Sequence, residues 1–345
     1  MPPSQPIVCA GSMSKFLRNL FLAALLLLFV LAAAFAWRVL SPVAMQRQSV
    51  EFTIAPGSGM RGAAREIAAA GVDIDPWLLV ALGKLLRVDA SIKAGSYQIV
   101  AGVTPLELLR KLTRGDVTQA ELTFIEGWTF RQIRQRLDGH PDLRHDTAGL
   151  SEAEIMRKLG GSTAVAEGLF FPDTYLFAKR SSDIDLLARA YRAGQQHLAR
   201  EWRARANALP YRDAYQALVM ASIVEKETGR EQDRALIAGV FVNRLRQGML
   251  LQTDPTVIYG LGENFDGNLR RRDLLADTPY NTYTRAGLPP TPIAMPGLAS
   301  LQAALHPAPT DALYFVARGD GGSQFSRTLD EHNRAVARYQ KGGRP

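Results

Sequence analysis

The chain has 345 residues, of which 47% are hydrophobic and 21% are charged. These fractions are typical of a globular protein and exclude a mainly disordered chain, a collagen-like chain and a membrane protein with many spans. Its 41 Lys and Arg outnumber its 33 Asp and Glu, so the net charge is +8. Such a charge suits a protein that binds nucleic acid, or one that works beside anionic lipid or an acidic polymer. Because the sequence has no zinc-finger, helix-turn-helix or RNA-binding signature, we expect no nucleic-acid partner.

The chain is poor in residues that build disulfides, thiol active sites and metal centres. Its single cysteine, Cys9, lies in an N-terminal tail, so it forms no internal disulfide and is poorly placed for catalysis. The nearest pair of histidines is His140 and His145, but Pro141 lies between them and the sequence has no HExxH motif. We therefore expect no metal site.

The first predicted element is a membrane-spanning helix. Leu20 to Trp37 is an unbroken apolar run of 18 residues. At about 1.5 Å per residue it would be roughly 27 Å long, close to the thickness of the hydrocarbon core of a bilayer. Trp37 lies where interfacial aromatic residues are common. We expect a tail over 1–19, an anchor over 20–40 and a linker over 41–49.

A cleaved signal peptide is the alternative for this segment. Ala34-Phe35-Ala36 resembles a small-x-small cleavage site. The apolar run is long for a signal peptide, however, and no second apolar span follows, which favours an uncleaved anchor. The flanking charges do not set the orientation, because two basic residues precede the run and two follow it. Met13 is an alternative start of translation to Met1.

Residues 50–118 are predicted to form a compact α+β module. Alternating polar and apolar residues indicate strands, and apolar residues at helical spacing indicate helices. The last helix carries the most complete start signal, with Thr104 as cap, Pro105 at its first position and Glu107 at its third. The predicted elements are a strand over 50–54, helices over 60–70 and 76–86, a strand over 95–99 and a helix over 104–112.

A larger, mixed α/β domain is predicted over 119–345, so the fold class of the whole chain is α+β. Its predicted elements are a strand over 120–125, a helix over 130–137, an aromatic loop over 168–175 that ends in a short strand, helices over 183–207, 212–228 and 231–247, strands over 313–316 and 323–326, and a last helix from Thr328. The loop over 138–165 and the Arg270–Arg272 run receive no assignment.

Two glutamates end the helix predicted over 212–228. Glu225 and Glu227 are two residues apart, so on a helix they point about 200° apart and cannot share one pocket. Their helical neighbours differ: Glu227 lies over Val224, Ile223 and Met220, and Glu225 lies over Ser222, Ala221 and Leu218. Apolar surroundings disfavour a charged carboxyl and raise its pKa, which suits a general acid near neutral pH. Glu227 is therefore the candidate acid, and the alternative is that both glutamates form a solvated helix end.

Polar residues in the next two segments are candidates for positioning a substrate. Asn243 lies among apolar residues in the helix predicted over 231–247. Gln252 begins a predicted capped turn, with Asp254 as N-cap and Pro255 at the first helical position. A purely structural cap is the alternative role for Asp254.

A third polar segment, residues 278–284, is dense in hydroxyl, amide and aromatic groups. Its candidates are Tyr280, Asn281 and Tyr283. Such a segment suits a sugar, which offers flat apolar faces together with hydroxyl groups. The alternative is a loop whose polar groups satisfy one another.

Several motifs in this region occur in an order that resembles a known family. They are EKET at 225–228, FVNRL at 241–245, LQTDPTVIYG at 251–260, YNTY at 280–283 and GLPP at 287–290. Further matches are EGW at 126–128, EGLFFPDTY at 167–175, AALHP at 303–307 and LYFVA at 313–317. Together they resemble the bacterial endolytic murein transglycosylases, the YceG-like family, over about 50–340 and the N-terminal anchor.

The resemblance implies a domain layout and a catalytic residue. It implies a LysM-like module over 50–118 and a catalytic transglycosylase domain over 119–345 in the periplasm, which places 1–19 in the cytoplasm. The catalytic acid of the family is the glutamate directly before the Thr of its motif, which is Glu227 here. Helical geometry selects the same residue independently. No metal or organic cofactor is implied.

The activity implied by the resemblance is cleavage of the β-1,4 bond between N-acetylmuramic acid and N-acetylglucosamine within nascent peptidoglycan. It needs one carboxylate, leaves a 1,6-anhydro end and terminates elongation of the strand. The implied partners are glycan strands, the inner membrane and peptidoglycan synthases such as penicillin-binding proteins. Two alternatives stay open: a hydrolytic muramidase on the same scaffold and a non-catalytic peptidoglycan-binding scaffold.

Overall fold

The structure, a computed structural model, describes residues 10–45, 47–55 and 57–340. It divides into two compact units. The N-terminal unit comprises the chain up to Gln119 together with residues 178–180, and the C-terminal unit comprises 120–177 and the chain from Ser181 onward. Helices and strands occur in both units, which confirms the predicted α+β class.

The N-terminal unit begins with the predicted apolar helix, α1 (Ala10–Leu40). Its segment Leu17–Leu40 has 24 residues and a mean hydropathy of 2.7, long and apolar enough to cross a membrane. A signal sequence near an N-terminus can meet the same criteria of length and hydropathy, so the anchor stays a prediction. Val39, near the end of α1, is buried in the hydrophobic core of the unit, and Phe35 packs against that core.

The rest of the N-terminal unit is built from three helices and two small antiparallel sheets. The elements are β1 (Ala44–Met45), β2 (Ser49–Ile54), α2 (Met60–Ala69), β3 (Val72–Asp73), α3 (Pro76–Leu85), β4 (Gly95–Val100) and α4 (Pro105–Arg114). β2 pairs with β4 in a register that sets Ser49 opposite Val100 and Ile54 opposite Gly95. All five predicted elements are present, and the capping box between Thr104 and Glu107 is confirmed.

Val43, Ala44 and Met45, within the segment 41–49 that is expected to be a linker, belong to the fold of this unit. β1 pairs with β3, so that Ala44 lies opposite Asp73 and Met45 opposite Val72. The amide of Val43 also donates a hydrogen bond to the carbonyl of Val103 at 2.9 Å. The end of α1 is therefore joined to the module without a free spacer.

The C-terminal unit is mostly helical. Its elements are β5 (Gln119–Thr123), α5 (Phe130–Asp138), β6 (Leu143–Arg144), α6 (Glu152–Lys158), β7 (Thr174–Ala178), β8 (Ser181–Ser182), α7 (Asp183–Ala204), α8 (Ala214–Glu227), α9 (Glu231–Arg246), α10 (Asp254–Leu261), a 3-10 turn (Gly262–Asn264), α11 (Arg271–Leu275), α12 (Leu298–Leu305), β9 (Tyr314–Ala317), β10 (Ser323–Ser326) and α13 (Leu329–Tyr339). The strands pair in two-stranded sheets, β5 with β7, β6 with β8 and β9 with β10.

Helix α8 is the centre of this unit. Residues 217–224 are buried without exception, which is the pattern of a helix enclosed on all sides. The helices α7, α9, α10 and α12 pack against it. Its charged residues occur only at the C-terminal end, where Glu225 and Glu227 lie. The fold therefore places both glutamates at the edge of the hydrophobic core.

The structure differs from the sequence predictions mainly at helix ends and in short helices. The helix expected over 183–207 ends at Ala204, because Arg205 adopts an extended ψ of 152°. The helix expected from 212 begins at Ala214, because the Asp213 side chain caps it by accepting from the amide of Gln216 at 2.9 Å. Three helices of five to eight residues, α6, α11 and α12, have no counterpart among the predicted elements, since so short a segment shows little helical periodicity. Only the start of α10 is predicted, at the turn of Asp254 and Pro255.

Gly194 gives a test of how closely this unit is packed. In α7 an added Cβ at Gly194 would collide with the backbone carbonyl oxygen of Leu169, whereas at Gly62 in α2 it would lie 3.5 Å from the Cβ of Ser58. Alanine in a helix is favoured over glycine by roughly 0.5–1 kcal/mol, and a clash in a packed region costs about 1–3 kcal/mol. We expect Gly194→Ala to lower the melting temperature of the chain and the control, Gly62→Ala, to leave it unchanged or raise it. A Gly194→Ala chain that melts at or above the wild-type temperature would contradict this packing.

Candidate active site

Glu227 is the last residue of α8 and lies at a junction with the start of α10. Its side chain is partly buried and accepts a hydrogen bond from the hydroxyl of Thr253. Thr253 is buried and directly precedes α10, which packs against α8. Two elements that are distant in sequence therefore meet at the carboxyl group of Glu227.

The surroundings of Glu227 shift its pKa close to neutral pH. Burial raises the pKa of Glu227 to about 7. The Thr253 hydrogen bond and the positive charge of Arg244 lower this pKa, whereas the negative charge of Asp254 raises it. A carboxyl group with a pKa near 7 can donate a proton and take one back at neutral pH.

Arg244 supplies the positive charge and is fixed in place by backbone carbonyls. Its guanidinium group is buried and donates to Leu313 at 2.6 Å and to Leu251 at 2.8 Å. It also lies over the ring of Tyr314, 5.1 Å from the ring centre. Because α9 carries Arg244, this side chain ties the segment before α10 to the strand β9.

Glu225 faces a different part of the unit from Glu227. Its carboxylate accepts a hydrogen bond from the amide of Gly297 at 3.0 Å. Partial burial and the charge of Glu225 raise the pKa of the nearby Glu126. The two glutamates of α8 therefore reach separate partners, as their helical spacing predicts.

Asp254 and Tyr283 form a second polar pair beside Glu227. The Tyr283 hydroxyl donates to Asp254 at 2.5 Å. The proposed role of Asp254 as N-cap is wrong: Thr253 occupies the cap position in an extended conformation, and Asp254 and Pro255 are the first two helical residues. The exposed carboxylate of Asp254 is thus left to act on Glu227 and Tyr283.

Gln252 is held in an unusual backbone conformation. Its φ is +52°, in the left-handed region that residues other than glycine rarely adopt. Its amide donates to the carbonyl of Thr282 at 3.0 Å, and its exposed side chain accepts from Arg244 at 3.4 Å. A strained, exposed residue next to Thr253 is consistent with a substrate-facing position.

The other three substrate candidates are engaged in holding loops. Asn243 donates to the carbonyl of Thr310 at 2.8 Å. Asn281 is buried and donates to Ala276 at 2.6 Å, while its side-chain oxygen accepts from the amide of Tyr283 at 2.9 Å. The Tyr280 hydroxyl lies 2.8 Å from that of Thr291. Tyr280 and Asn281 thus support the loop that carries Tyr283, whereas Asn243 holds the segment before β9, and none of the three bonds Glu227.

Sequence reasoning missed Thr253, Arg244 and Glu167. Glu167 is buried and accepts from the amide of Phe130 at 3.0 Å and from the hydroxyl of Tyr259 at 3.1 Å. Burial raises the pKa of Glu167 to about 7. These three residues lie within the recognised motifs, but only long-range contacts show what each one touches.

One group of potential metal ligands occurs in the described residues. Ligand atoms of Asp138, His145 and Asp183 lie within 4.8 Å of one another. The Asp183 carboxylate already accepts from the hydroxyl of Thr147 at 2.6 Å and from the Thr147 amide. Asp138 and His145 are exposed, and the group lies apart from Glu227 in sequence and in its contacts. It therefore gives no reason to add a metal to the candidate active site.

A comparison with known proteins identifies the family. The model of the YceG-like family matches residues 52–338. The chain belongs to the YceG-like family. This confirms the resemblance that the motifs indicate.

The chain is also similar to two named bacterial proteins and to one protein of known crystal structure. A protein of Bacillus subtilis (strain 168) named endolytic murein transglycosylase is 33% identical over 271 residues, 72% of this chain and 73% of that protein. One of the same name from Streptococcus pneumoniae (strain D39) is 29% identical over 72% of this chain and 51% of its own length, so the match spans about half of that relative. A crystal structure of a YceG-like protein from Listeria monocytogenes has a TM-score of 0.54 and 30% identity, covering 83% of this chain and 98% of that one.

The pKa of Glu227 in this YceG-like chain should move in opposite directions in two variants. Thr253→Val removes a hydrogen bond that favours the charged carboxylate, so the pKa should rise. Asp254→Asn removes a negative charge that disfavours it, so the pKa should fall. If Glu227 must be protonated to act, the alkaline limb of the pH–activity profile shifts upward in the first variant and downward in the second.

The control for this pair is Thr256→Val. The Thr256 hydroxyl is buried and donates to the Thr253 carbonyl at 2.8 Å. It forms no hydrogen bond with Glu227. Its loss should lower stability and leave the alkaline limb in place. Shifts of the same sign in the Thr253 and Asp254 variants would show that the profile reports another group.

Proposed function

We propose that this chain is a lytic transglycosylase that cleaves peptidoglycan strands internally. The observation that carries the proposal is the carboxyl group of Glu227, which burial at the end of α8 holds at a pKa of about 7. The name shared by the Bacillus and Streptococcus relatives supports the same substrate and reaction class. The substrate bond would be the β-1,4 link between N-acetylmuramic acid and N-acetylglucosamine.

The reaction needs one carboxyl group that acts twice. Protonated Glu227 donates its proton to the glycosidic oxygen, and the N-acetylglucosamine part leaves as an alcohol. The resulting carboxylate then takes the proton of the C6 hydroxyl of the muramic residue while that oxygen bonds to C1. The product is a 1,6-anhydro end, Glu227 is again protonated, and no water is consumed.

The attacking hydroxyl is part of the substrate, so proximity supplies much of the rate advantage. The 2-acetamido group of the sugar can assist at C1, which removes the need for a second carboxylate of the protein. Among the substrate candidates, Asp254 and Tyr283 interact electrostatically with Glu227, and Gln252 directly precedes its partner Thr253. These three residues would position the sugar. Tyr280 and Asn281 would act by holding the loop that carries Tyr283, and Asn243 by holding the segment before β9.

A hydrolytic muramidase is the second candidate, and Asp254 is the observation in its favour. Glycoside hydrolases generally use two carboxyl groups, and the charge of Asp254 acts on Glu227. In a hydrolase, Asp254 would activate a water molecule or attack C1. The mass of the product separates the two reactions, because an anhydro end is one water lighter than a reducing end.

We also propose that α1 anchors the chain in the inner membrane, with a LysM-like module over 50–118 and a catalytic domain over 119–345 in the periplasm. Glycan strands emerging from membrane-bound synthases, such as penicillin-binding proteins, would then be within reach. The supporting observation is the 24-residue apolar segment of α1, whose side chains are exposed apart from Phe35 and Val39.

Glu227→Gln should abolish cleavage and keep the fold. Glutamine matches the shape of the acid but cannot donate and recover a proton, so the rate of strand cleavage should fall by at least about a hundredfold. Liquid chromatography and mass spectrometry of digested sacculi measure the anhydro ends.

The matched control is Glu225→Gln on the same helix. Its amide oxygen can still accept the hydrogen bond from Gly297, so the rate should stay within about tenfold of wild type. An equal loss in both variants would mean that the two carboxyl groups work as a coupled pair. Anhydro ends produced by the Glu227 variant would refute the assignment of the acid.

The anchor makes a separate prediction about fractionation. If α1 spans the membrane, the chain stays in the membrane fraction after a carbonate wash and after high salt, because apolar burial in hydrocarbon does not respond to ions. Adsorption by basic residues would be lost, since the Debye length falls to about 3 Å at 1 M salt. A soluble form that begins at Trp37 would show instead that 34–36 is a cleavage site.

A further inference from the structure

The end of the apolar helix is built into the N-terminal unit. Val39 is only 6% exposed within the core of that unit, and α1 packs against α4. Immediately after α1 in the chain, Val43 donates a hydrogen bond to Val103 and β1 pairs with β3. If α1 spans a membrane, as proposed above, the position of the module relative to the bilayer is therefore fixed by the helix itself.

The helix geometry places this junction in the headgroup layer. The apolar run that would fill the hydrocarbon core ends at Trp37, and Leu40 ends α1 three residues later, about 4.5 Å further along the axis. A bilayer has a hydrocarbon core of about 30 Å within a total of about 40–45 Å, which leaves roughly 5–7.5 Å of headgroups on each side. Residues that surround the last turns of α1 thus lie beside lipid headgroups.

A cleft of about 560 Å³ lies on the module next to this junction. We call it the anchor-proximal cleft, and it is lined by residues 100–103 and by Glu107, Arg110, Lys111, Arg114 and Asp116. Its loop contains Val103, the residue bonded to Val43, and its basic side chains come from α4, the helix that packs on α1. The cleft is therefore continuous with the point where α1 enters the module.

The charges in the anchor-proximal cleft leave two arginines for a ligand. Glu107 is held by the capping box with Thr104, and Lys111 pairs with Asp116 at 2.9 Å. Arg110 and Arg114 are exposed and form no salt bridge with another described residue, and the positive charge of Arg110 contributes to lowering the pKa of Glu107. The guanidinium group matches the geometry of a phosphate and binds it through paired hydrogen bonds.

We propose that the anchor-proximal cleft binds the headgroups of acidic phospholipids through Arg110 and Arg114. The module would then lie flat on the bilayer beside its anchor, and the exposed Val100 would face the apolar edge of the headgroup layer. A glycan is the less favoured ligand, because no aromatic side chain lines the cleft and sugars are commonly bound on aromatic faces. The inference rests on the proposed anchoring.

Lipid selectivity of the full-length chain tests the proposal. The chain is solubilised in detergent with equal amounts of phosphatidylglycerol and phosphatidylcholine, and the lipids that it retains are counted by native mass spectrometry. We expect phosphatidylglycerol to be preferred. Arg110→Gln combined with Arg114→Gln should reduce the preference by roughly fivefold for each arginine. The matched control, Arg61→Gln with Arg65→Gln, removes the same charge from α2 outside the cleft and should leave the preference unchanged.

Four results would overturn the proposal. Wild-type chain that retains both lipids equally, or a cleft variant that keeps the full preference, would remove the headgroup site. An uncharged chitin oligosaccharide that binds the wild type and is lost in the same cleft variant would assign the cleft to glycan. Release of the wild-type chain by carbonate would refute the anchoring and this inference with it, whereas retention without lipid preference would refute this inference alone.

Discussion

Burial of one carboxyl group at the end of an apolar helix is the constraint on which the site depends. Helix α8 is enclosed over residues 217–224, so its C-terminal end lies at the boundary between core and solvent. A carboxylate there loses part of its hydration, and the pKa of Glu227 moves to about 7 as a result. The same surroundings hold a second polar group, the Thr253 hydroxyl, which donates a hydrogen bond to one oxygen of the carboxyl.

The irregular segments around Glu227 are held by side chains that bind their backbone carbonyl groups. Arg244 binds backbone carbonyls on both sides of the site, and Asn281 closes the loop before Tyr283. These side chains satisfy carbonyl groups that an irregular loop would otherwise leave unpaired near the core. Because these hydrogen bonds fix the loops, they also hold Asp254 and Tyr283 beside Glu227. The chemistry and the stability of the unit therefore depend on the same hydrogen bonds.

How much the sequence predicts depends on the range of the interactions. Strands and helices with strong local signals, such as β2 and the capped α4, are predicted within a residue or two, and the separation of Glu225 from Glu227 follows from helical spacing alone. The position of Asp254 was misjudged because Thr253 and Asp254 are both good caps, and only contacts with Glu227 and Tyr283 distinguish them. The loop-holding role of Asn243 depends on the carbonyls of Thr310 and Ala312, up to 69 residues away, which no local pattern reveals.

The origin of the oxygen at the new end of the cleaved strand tests the central claim most directly. When glycan strands are cleaved in water enriched in oxygen-18, a single carboxyl group that delivers the substrate's own C6 hydroxyl gives anhydro ends that contain no heavy oxygen. Those ends should appear with a rate that falls above pH 7, as Glu227 loses its proton. Reducing ends that carry oxygen-18 from the first turnover would contradict the account, because a water molecule would then be the attacking group and a second carboxyl would have to activate it.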